Sequence, residues 1–540
     1  MMTTPMECHC IPQRELPQTT RLFATFLDEF PRVAKFFAHP PTEEGIARAA
    51  DQIRHEGTPR VALVEILREQ NRRFGADGAT EHNLDRLAAG ATAIVTGQQV
   101  GLFTGPSYSI YKALSAVRVA AQMTERGVAA VPVFWLATED HDLAEVNHTY
   151  WLGPSAVSRF EIAGEGVAGQ RVGEVRLGDA VREAVRIAAE QLEGPHAEEV
   201  ARALEESYQP EETFGSAFGR LMARLFAGQG IILLDPLDAR LHRLAAPVYR
   251  RALEEHTALT QGLLARSKAL ERAGYHAQVK VPQRSTLLFL NVDGHRLPLR
   301  ERNSGFAAGD SHLSLAELMQ AIESAPESIT ANVLLRPVVQ DTLLPTAAYL
   351  GGPAEIAYFA QAEVVYRRLL GRMPAILPRA GFTLVEPRVA RLLKKYGLEF
   401  HDLLRGRQRL RAKMERAYLS KVLAARFETG EKSIRKLLGG LRGPLGKLDK
   451  TLLGALDTAE RKMLYQFGRL RGKAARARNF RTGVLDAHER QLTDALYPHH
   501  ALQERVLCFL PLLAAHGPDL MAALSDRAGI GKTQHQVVFL

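Results

Sequence analysis

Apolar and polar positions along this chain switch between two periods, and the clearest switch lies within Ala91–His148. Ala91–Val95 is a short unbroken apolar run that stops at Thr96-Gly97, as a buried strand stops before a turn. Gly97, Gly101 and Gly105 then mark a loop at four-residue intervals. From Pro106-Ser107 the period lengthens, and Ile110, Ala113, Leu114, Val117 and Ala120 fall on one face of a helix. Gly127 closes that helix, Val131–Leu136 reads as a second buried strand, and the chain runs out through Thr138 into Glu139-Asp140-His141-Asp142. Strand, glycine loop, helix, strand is the unit of an open α/β sheet, whose ligands sit at the carboxyl ends of the strands.

The same reading extends both ways. Thr20–Phe30, Glu43–His55 and Arg60–Phe74 carry helical spacing. Residues 151–212 alternate short strands (Arg159–Ala163, Gly173–Leu177) with charged helices and read as an insertion. The α/β rhythm returns with a helix at Phe214–Ala227, a strand at Gly230–Pro236 and a helix over Ala239–Ala273. Val279–Leu290 and Gly294–Leu299 predict a hairpin about Asp293-Gly294. Further strands are expected at Val333–Gln340, Thr346–Tyr349 and Ala375–Pro378, with Glu355–Leu370 helical. From Pro387 to Tyr497 the pattern is almost wholly helical. Leu438, Leu441, Leu445, Leu448 and Leu452 follow a heptad seam, which Gly439-Gly440, Gly443-Pro444 and Leu448–Thr451 break into a hairpin. The expected plan is therefore N-terminal helices and half of a core over 1–150, an insertion over 151–212 and the second half with a further insertion over 213–386. A basic helical domain over 387–497 follows, and a segment returning to the core over 498–540.

Charge sharpens that division. The net charge of +9 is uneven: residues 387–497 hold 27 Lys and Arg against 11 Asp and Glu, while the rest holds 42 against 49. The basic face could suit RNA or another polyanion, but no aromatic residues interleave with it for base stacking, which favours a solvated coiled-coil surface packing against an acidic core or a partner subunit. No apolar run approaches the ~20 residues of a membrane span. The first residues lack an export pattern, and three cysteines suit a reducing cytoplasm. Cys8-His9-Cys10 is too cramped for a convincing metal site.

Four constellations could carry chemistry. Thr96–Lys112 offers glycines, a helix N-terminus and a lysine, a combination suited to an anion, although it matches neither the dinucleotide nor the Walker pattern. Gly97, Gln98, Gln99, Gly105, Tyr108 and Tyr111 are its candidate binding residues, and Lys112 its candidate catalytic cation. Thr138–Asp142, with Glu145, Asn147 and His148, crowds acids and histidines after a buried strand. There Asp140 and His141 are candidate catalytic groups, and Glu139, Asp142 and Asn147 candidate binders. Arg336 and Gln340, then Gly351, Gly352 and Glu355, form a third group, able to read a carboxylate or amide. Tyr497–Arg505, with Gln503 and Arg505, is the fourth. Whether any of these holds a metal stays open.

The runs TGQQVGLFTGPSYSIYKALSA, VPVFWLATEDHDLAEVNH, LRPVVQDTLLPTAAYLGGPAEIAYFAQ and YPHHALQERVL closely resemble the cysteine-adding ligases of bacillithiol biosynthesis, in the same order over about residues 90–540. The resemblance implies a Rossmann-like core akin to class I synthetases and nucleotidyltransferases, with insertions and a C-terminal coiled coil that makes a homodimer. It also implies a cytoplasmic enzyme that joins cysteine to the amine of glucosaminyl-malate, with ATP activation (ATP or ADP as the bound nucleotide) through an adenylate or acyl phosphate. The alternative from another class is an RNA-binding or tRNA-handling protein with a synthetase-like core and a basic arm.

Overall fold

The computed structural model describes residues 6–53, 60–153, 156–167, 169–303, 305–419 and 421–540. The chain divides into two compact units: Cys10–Phe382 with Glu504–Gln536, and Thr383–Gln503 with short pieces of both termini.

The first unit is built on a parallel sheet. Its strands are β1 (Thr92–Gln98), β2 (Ala130–Leu136), β3 (Ile232–Leu234), β4 (Thr346–Gly351) and β5 (Ala375–Pro378), in the order β5-β4-β1-β2-β3. Helix α1 (Tyr108–Glu125) joins β1 to β2, α2 (Arg336–Leu343) precedes β4, and α3 (Pro353–Leu369) joins β4 to β5. Strand period explains the layering. Ala93, Val95, Val131, Val133, Trp135 and Tyr349 feed one apolar cluster, while Ile94, Ala130, Ala348 and Leu350 feed another that includes Ala116, Val119 and Ala120 of α1. Both faces of the sheet are thus covered, which is why its strands are continuous apolar runs and not alternating ones. Each fully buried Val, Ile, Leu or Phe contributes roughly 1.5–3 kcal/mol. The strand order reverses between β1 and β4, which makes their carboxyl ends the topological switch point.

A second, antiparallel sheet carries the expected hairpin as Ser285–Val292 and His295–Arg302, turning through Asp293 and Gly294 with φ of 50° and 82°. Four expectations need correction. Val333–Gln340 is not a strand: the Asn332 carboxamide accepts from the Leu334 and Leu335 N–H groups in the turn that leads into α2, which has Pro337 in its first turn. The β-branched Val338-Val339 pair favours a strand, and this turn outweighs it. Gly173–Leu177 forms a 3-10 turn at Val172–Glu174 and isolated bridges through Arg176. Ala239–Ala273 is two helices, Ala239–Glu254 and His256–Arg272. The helix beginning at Glu43 ends at Asp51, and the expected end at His55 lies outside the described residues.

In the second unit the helices Lys421–Leu448 and Leu452–Thr482 form the hairpin. Its turn is Asp449–Thr451, where the Asp449 carboxylate accepts the Thr451 N–H at 2.8 Å; Gly439-Gly440 and Gly443-Pro444 leave the first helix continuous. Phe427 meets Phe467 edge-on at 5.3 Å, and Gly430 leaves the room that the Phe467 ring fills. Arg471–Glu431 and Arg435–Glu460 pairs, at 2.8 and 3.2 Å, tie the two helices together. The leucine seam is only partly used. Leu438 is buried, but Leu441 and Leu448 stand 44% and 79% exposed, with Leu437, Met463 and Tyr465 exposed as well.

A packing test follows from the closest approach in the sheet. A Cβ on Gly97 would lie 2.8 Å from the Trp135 carbonyl oxygen and 3.0 Å from its Cβ, so β1 can end beside β2 only with glycine there. Gly97→Ala should destabilise the protein by about 1–3 kcal/mol, read as a lower denaturant midpoint. An unchanged midpoint would show that the strand ends have slack.

Candidate active site

At the switch point the sheet opens into a cavity of about 550 Å³. Gly97, Gln98 and Gln99 come from the end of β1, Trp135 from β2, and Gly352–Glu355 from the start of α3. Tyr108 and Lys112 on α1, Arg336 on α2, and Arg379 and Arg505 complete the charged lining. The volume lies in the range of small-molecule sites.

Lys112 organises one wall. Its ammonium donates to the Gly97 carbonyl at 2.8 Å and the Gln98 side-chain oxygen at 3.0 Å, and pairs with Glu355 at 2.5 Å. All three of its N–H groups are therefore committed within the protein. Glu355 also accepts the Tyr349 hydroxyl at 2.6 Å and the Gly352 N–H at 2.7 Å, so it caps α3 while pairing with Lys112. Burial alone would raise the Glu355 pKa. Lys112, the Gly352 N–H and Tyr349 together take it below the ordinary value. Burial likewise lowers the Lys112 pKa, with Glu355 opposing.

The arginines differ in their partners. Arg379 is paired with Glu504 through two bonds, at 2.7 and 3.1 Å, and Glu504 is held in turn by the Phe382 N–H. Arg336 donates only to neutral groups, the Gln340 side-chain oxygen at 3.2 Å and the Tyr358 hydroxyl at 3.0 Å. Among the described residues no carboxylate lies within ion-pair distance of Arg336 or Arg505. Two cations thus face the cavity without an ion-pair partner, beside the N-terminus of the 17-residue α3, which Glu355 caps. The Gln99 amide bonds both Asp140, at 3.0 Å, and Glu145, holding two carboxylates together; Glu145 lines the cavity and Asp140 does not. The lining thus carries groups of both signs.

Several expected binders lie elsewhere. Gly105 belongs to a buried turn in which Phe103 packs against Trp151, Phe160 and Tyr208, and the Ser107 hydroxyl and N–H both donate to the Leu507 carbonyl; the start of α1 is thus closed by protein. Tyr111 is buried between Phe382 and Phe509. Gln503 bonds the Leu384 backbone and the Ala495 carbonyl in the other unit. Gln340 orients Arg336 from behind while its amide donates to Asp341. Gly351 lets Glu355 come close, since a Cβ there would lie 2.9 Å from that of Glu355. His141 stands beside Arg296, Asp142 is exposed, and Asn147 ends the short Leu143–Val146 helix. Glu139 turns away to His242, at 3.3 Å. Among the described residues no group of three His, Cys, Asp or Glu side chains comes together to hold a metal ion.

Trp135, Tyr349, Tyr358 and Arg379 escaped the sequence reading, while Glu504 fell within the Tyr497–Arg505 constellation without a role. An arginine directly after the last strand of the sheet, Ala375–Pro378, was the available signal for Arg379. The other three read as ordinary core positions.

Comparison with known proteins agrees with this architecture. Residues 6–380 match the family model for the N-terminal Rossmann-like domain of the bacillithiol biosynthesis protein BshC, and residues 382–540 match that for its C-terminal coiled-coil domain. A relative from Koribacter versatilis is 43% identical over 98% of this chain and 99% of its own length. Relatives from Solibacter usitatus (40%, 99% and 100%) and Symbiobacterium thermophilum (34%, 96% and 97%) are similarly complete. All three bear the name "Putative cysteine ligase BshC".

The two buried pairs set an acid limit on stability. Glu355 and Glu504 both titrate below 4.5 in the native state, so the native protein binds fewer protons than the unfolded chain in that range. Their contribution is fully present above pH 4.5 and is lost as pH falls through the lowered native values. Urea midpoints should therefore drop on acidification, and more steeply for the native protein than for Glu355→Gln. Parallel slopes would show that Glu355 is not ionised in the fold.

Proposed function

The chain belongs to the bacillithiol biosynthesis BshC family, and on that premise we propose that it is a ligase joining the carboxyl group of cysteine to the amine of glucosaminyl-malate. What supports this reading is the charge of the cavity lining: two arginines without an ion-pair partner among the described residues, and Glu145, which Gln99 holds together with Asp140. Amide formation between a carboxylate and an ammonium is uphill in water. ATP, when bound, would supply the activation by converting the carboxyl into an adenylate or acyl phosphate, with Arg336 and Arg505 the residues to hold its phosphate oxygens.

The chain's own residues then have separable tasks. Arg336 and Arg505 hold carboxylate or phosphate oxygens, as a planar guanidinium does well. The N-terminus of α3 adds backbone polarity in the same direction. Asp140 takes the incoming amine, favouring its approach and accepting its proton as the amide forms, with His141 beside it at 3.6 Å as a second acceptor. Lys112 fixes the Gly97–Gln98 turn and Glu355, so its part in catalysis is to keep the wall in place. A product with an exposed thiol suits a reducing cytoplasm. The exposed leucines of the hairpin suit a symmetric partner copy, making the enzyme a homodimer.

Removing a group that meets developing charge costs roughly 2–4 kcal/mol, or ~30- to ~1000-fold in rate. Arg336→Gln and Asp140→Asn should each reduce bacillithiol formation in cells to that extent while melting near the native temperature. Cys8→Ser and Cys10→Ser should have no effect, because neither thiol lines the cavity. Undiminished thiol in the Arg336 and Asp140 variants would remove both residues from the mechanism.

Light scattering tests the assembly independently. The full chain should run as a dimer at micromolar concentration, and a variant with Leu441 and Leu448 changed to Lys should run as a monomer. A monomeric full chain would end the dimer reading.

A further inference from the structure

Two arginines of the cavity lining are held in opposite ways. Arg379 is gripped by a carboxylate, that of Glu504, at 2.7 and 3.1 Å. Arg336 is held only by neutral groups: the Gln340 oxygen at 3.2 Å, the Tyr358 hydroxyl at 3.0 Å, and the Trp135 ring, whose centre lies 5.9 Å from the guanidinium carbon. Gln340 stands one turn along α2 from Arg336, on the same face. Gln340 and its neighbour Asp341 are fully buried, and neither lines the cavity. Whatever they do for a ligand, they do through Arg336.

The Gln340 amide has one orientation open to it. A guanidinium only donates, so the atom facing Arg336 must accept. On the other side Oδ1 of Asp341, at 2.9 Å, takes a proton from the amide nitrogen. A carboxamide of this length offers both an acceptor and a donor without adding a charge. Asp341 is itself anchored: Tyr366 donates to its second carboxyl oxygen, and Arg372 to its backbone carbonyl at 2.6 Å. Burial raises the Asp341 pKa against these donors, and a proton on the second oxygen would still leave Oδ1 an acceptor. A glutamate in place of Gln340 would set an anion against Arg336, as Glu504 does against Arg379.

We propose that Gln340 and Asp341 are positioning residues for the substrate's anionic group: Asp341 fixes the Gln340 amide, the amide turns only its oxygen to Arg336, and Arg336 keeps its whole charge for a carboxylate or phosphate oxygen in the cavity. The inference rests on the part given to Arg336 in the ligase reading above, and adds which residues outside the cavity set the strength of that contact. It also gives the two arginines different tasks. Arg379, neutralised by Glu504, shapes the lining, and Arg336 binds.

Calorimetric titration of the full chain with L-malate and with inorganic phosphate tests this, the two probes separating a carboxylate site from a phosphate site. Arg336→Gln gives the affinity that remains without the guanidinium. Gln340→Glu keeps the shape and adds a charge, and should weaken the anion that depends on Arg336 about 10- to 100-fold, the usual worth of a charge-assisted hydrogen bond. Asp341→Leu leaves the amide free to turn and should weaken the same anion. Asp341→Asn should restore affinity to within about threefold of native, because its amide oxygen replaces Oδ1 while its nitrogen faces Tyr366, whose hydroxyl also reaches the Pro337 carbonyl at 2.9 Å. A merely structural role would lower the melting temperature without this pattern of affinities. Native affinity in Gln340→Glu overturns the inference, and so does an Asp341→Asn variant no better than Asp341→Leu; the second pair decides should Gln340→Glu fail to fold. A native chain that binds neither anion, or binds both equally well after Arg336→Gln, overturns it too. In all of these outcomes bacillithiol formation in cells carrying the native chain leaves the ligase reading intact. Its absence removes that reading, while the titrations still decide the inference.

Discussion

The buried Lys112–Glu355 pair is the interaction on which the site depends. It joins two elements that the sheet topology only brings near each other: the end of β1, through the Gly97 carbonyl and Gln98, and the start of α3, through the Gly352 N–H. Placing two charges in a protein interior costs several kcal/mol per ion and is repaid only when the remaining donors and acceptors are satisfied. Here they are, down to the Tyr349 hydroxyl on the second carboxylate oxygen. The result is a wall whose geometry is settled before any ligand arrives, and such preorganised polar groups are effective in a site because they need not reorganise during the reaction.

That wall explains the division of labour among the cations. Lys112 and Arg379 each have a buried acid of their own, so their charges are spent on structure. Arg336 is held just as firmly but by neutral groups. Gln340 accepts from it and donates to Asp341, which also accepts the hydroxyl proton of Tyr366. A guanidinium oriented by neutral acceptors keeps its full charge for a ligand. Replacing Gln340 by glutamate would fill that charge from behind, which makes the amide at this position as informative as the arginine.

Much of the fold was legible because strand and helix periods are strong local signals where segments are long and buried. β1, α1 and β2 follow the apolar pattern within a few residues, and the Asp293-Gly294 turn marks its hairpin. The failures have local causes. At Val333–Gln340 a turn fixed by the Asn332 side chain outweighed two β-branched residues, and at Gly439–Pro444 the first helix runs unbroken through residues that disfavour helix. The site was half legible. Spacing located the turns around it, but glycines alone could not show that the α1 N-terminus is closed by Leu507, or that Glu139 points away from its neighbour Asp140. Pairing across hundreds of residues, such as Arg379 with Glu504, leaves no periodic trace.

The distribution of charge over the whole chain carries a further consequence. The excess of basic residues belongs to 387–497, whereas the rest of the chain, which contains the cavity, is net acidic. The attraction of the cavity for anions therefore cannot come from a broad positive field around the core. It comes from two guanidiniums and a helix terminus set in apolar walls, where reduced screening strengthens each interaction. A local source of this kind acts at contact range and discriminates by shape, while a diffuse one would gather any polyanion. Glu145, held with Asp140 by Gln99, puts a negative group in the same lining, so a ligand carrying both signs of charge complements it better than a simple anion does.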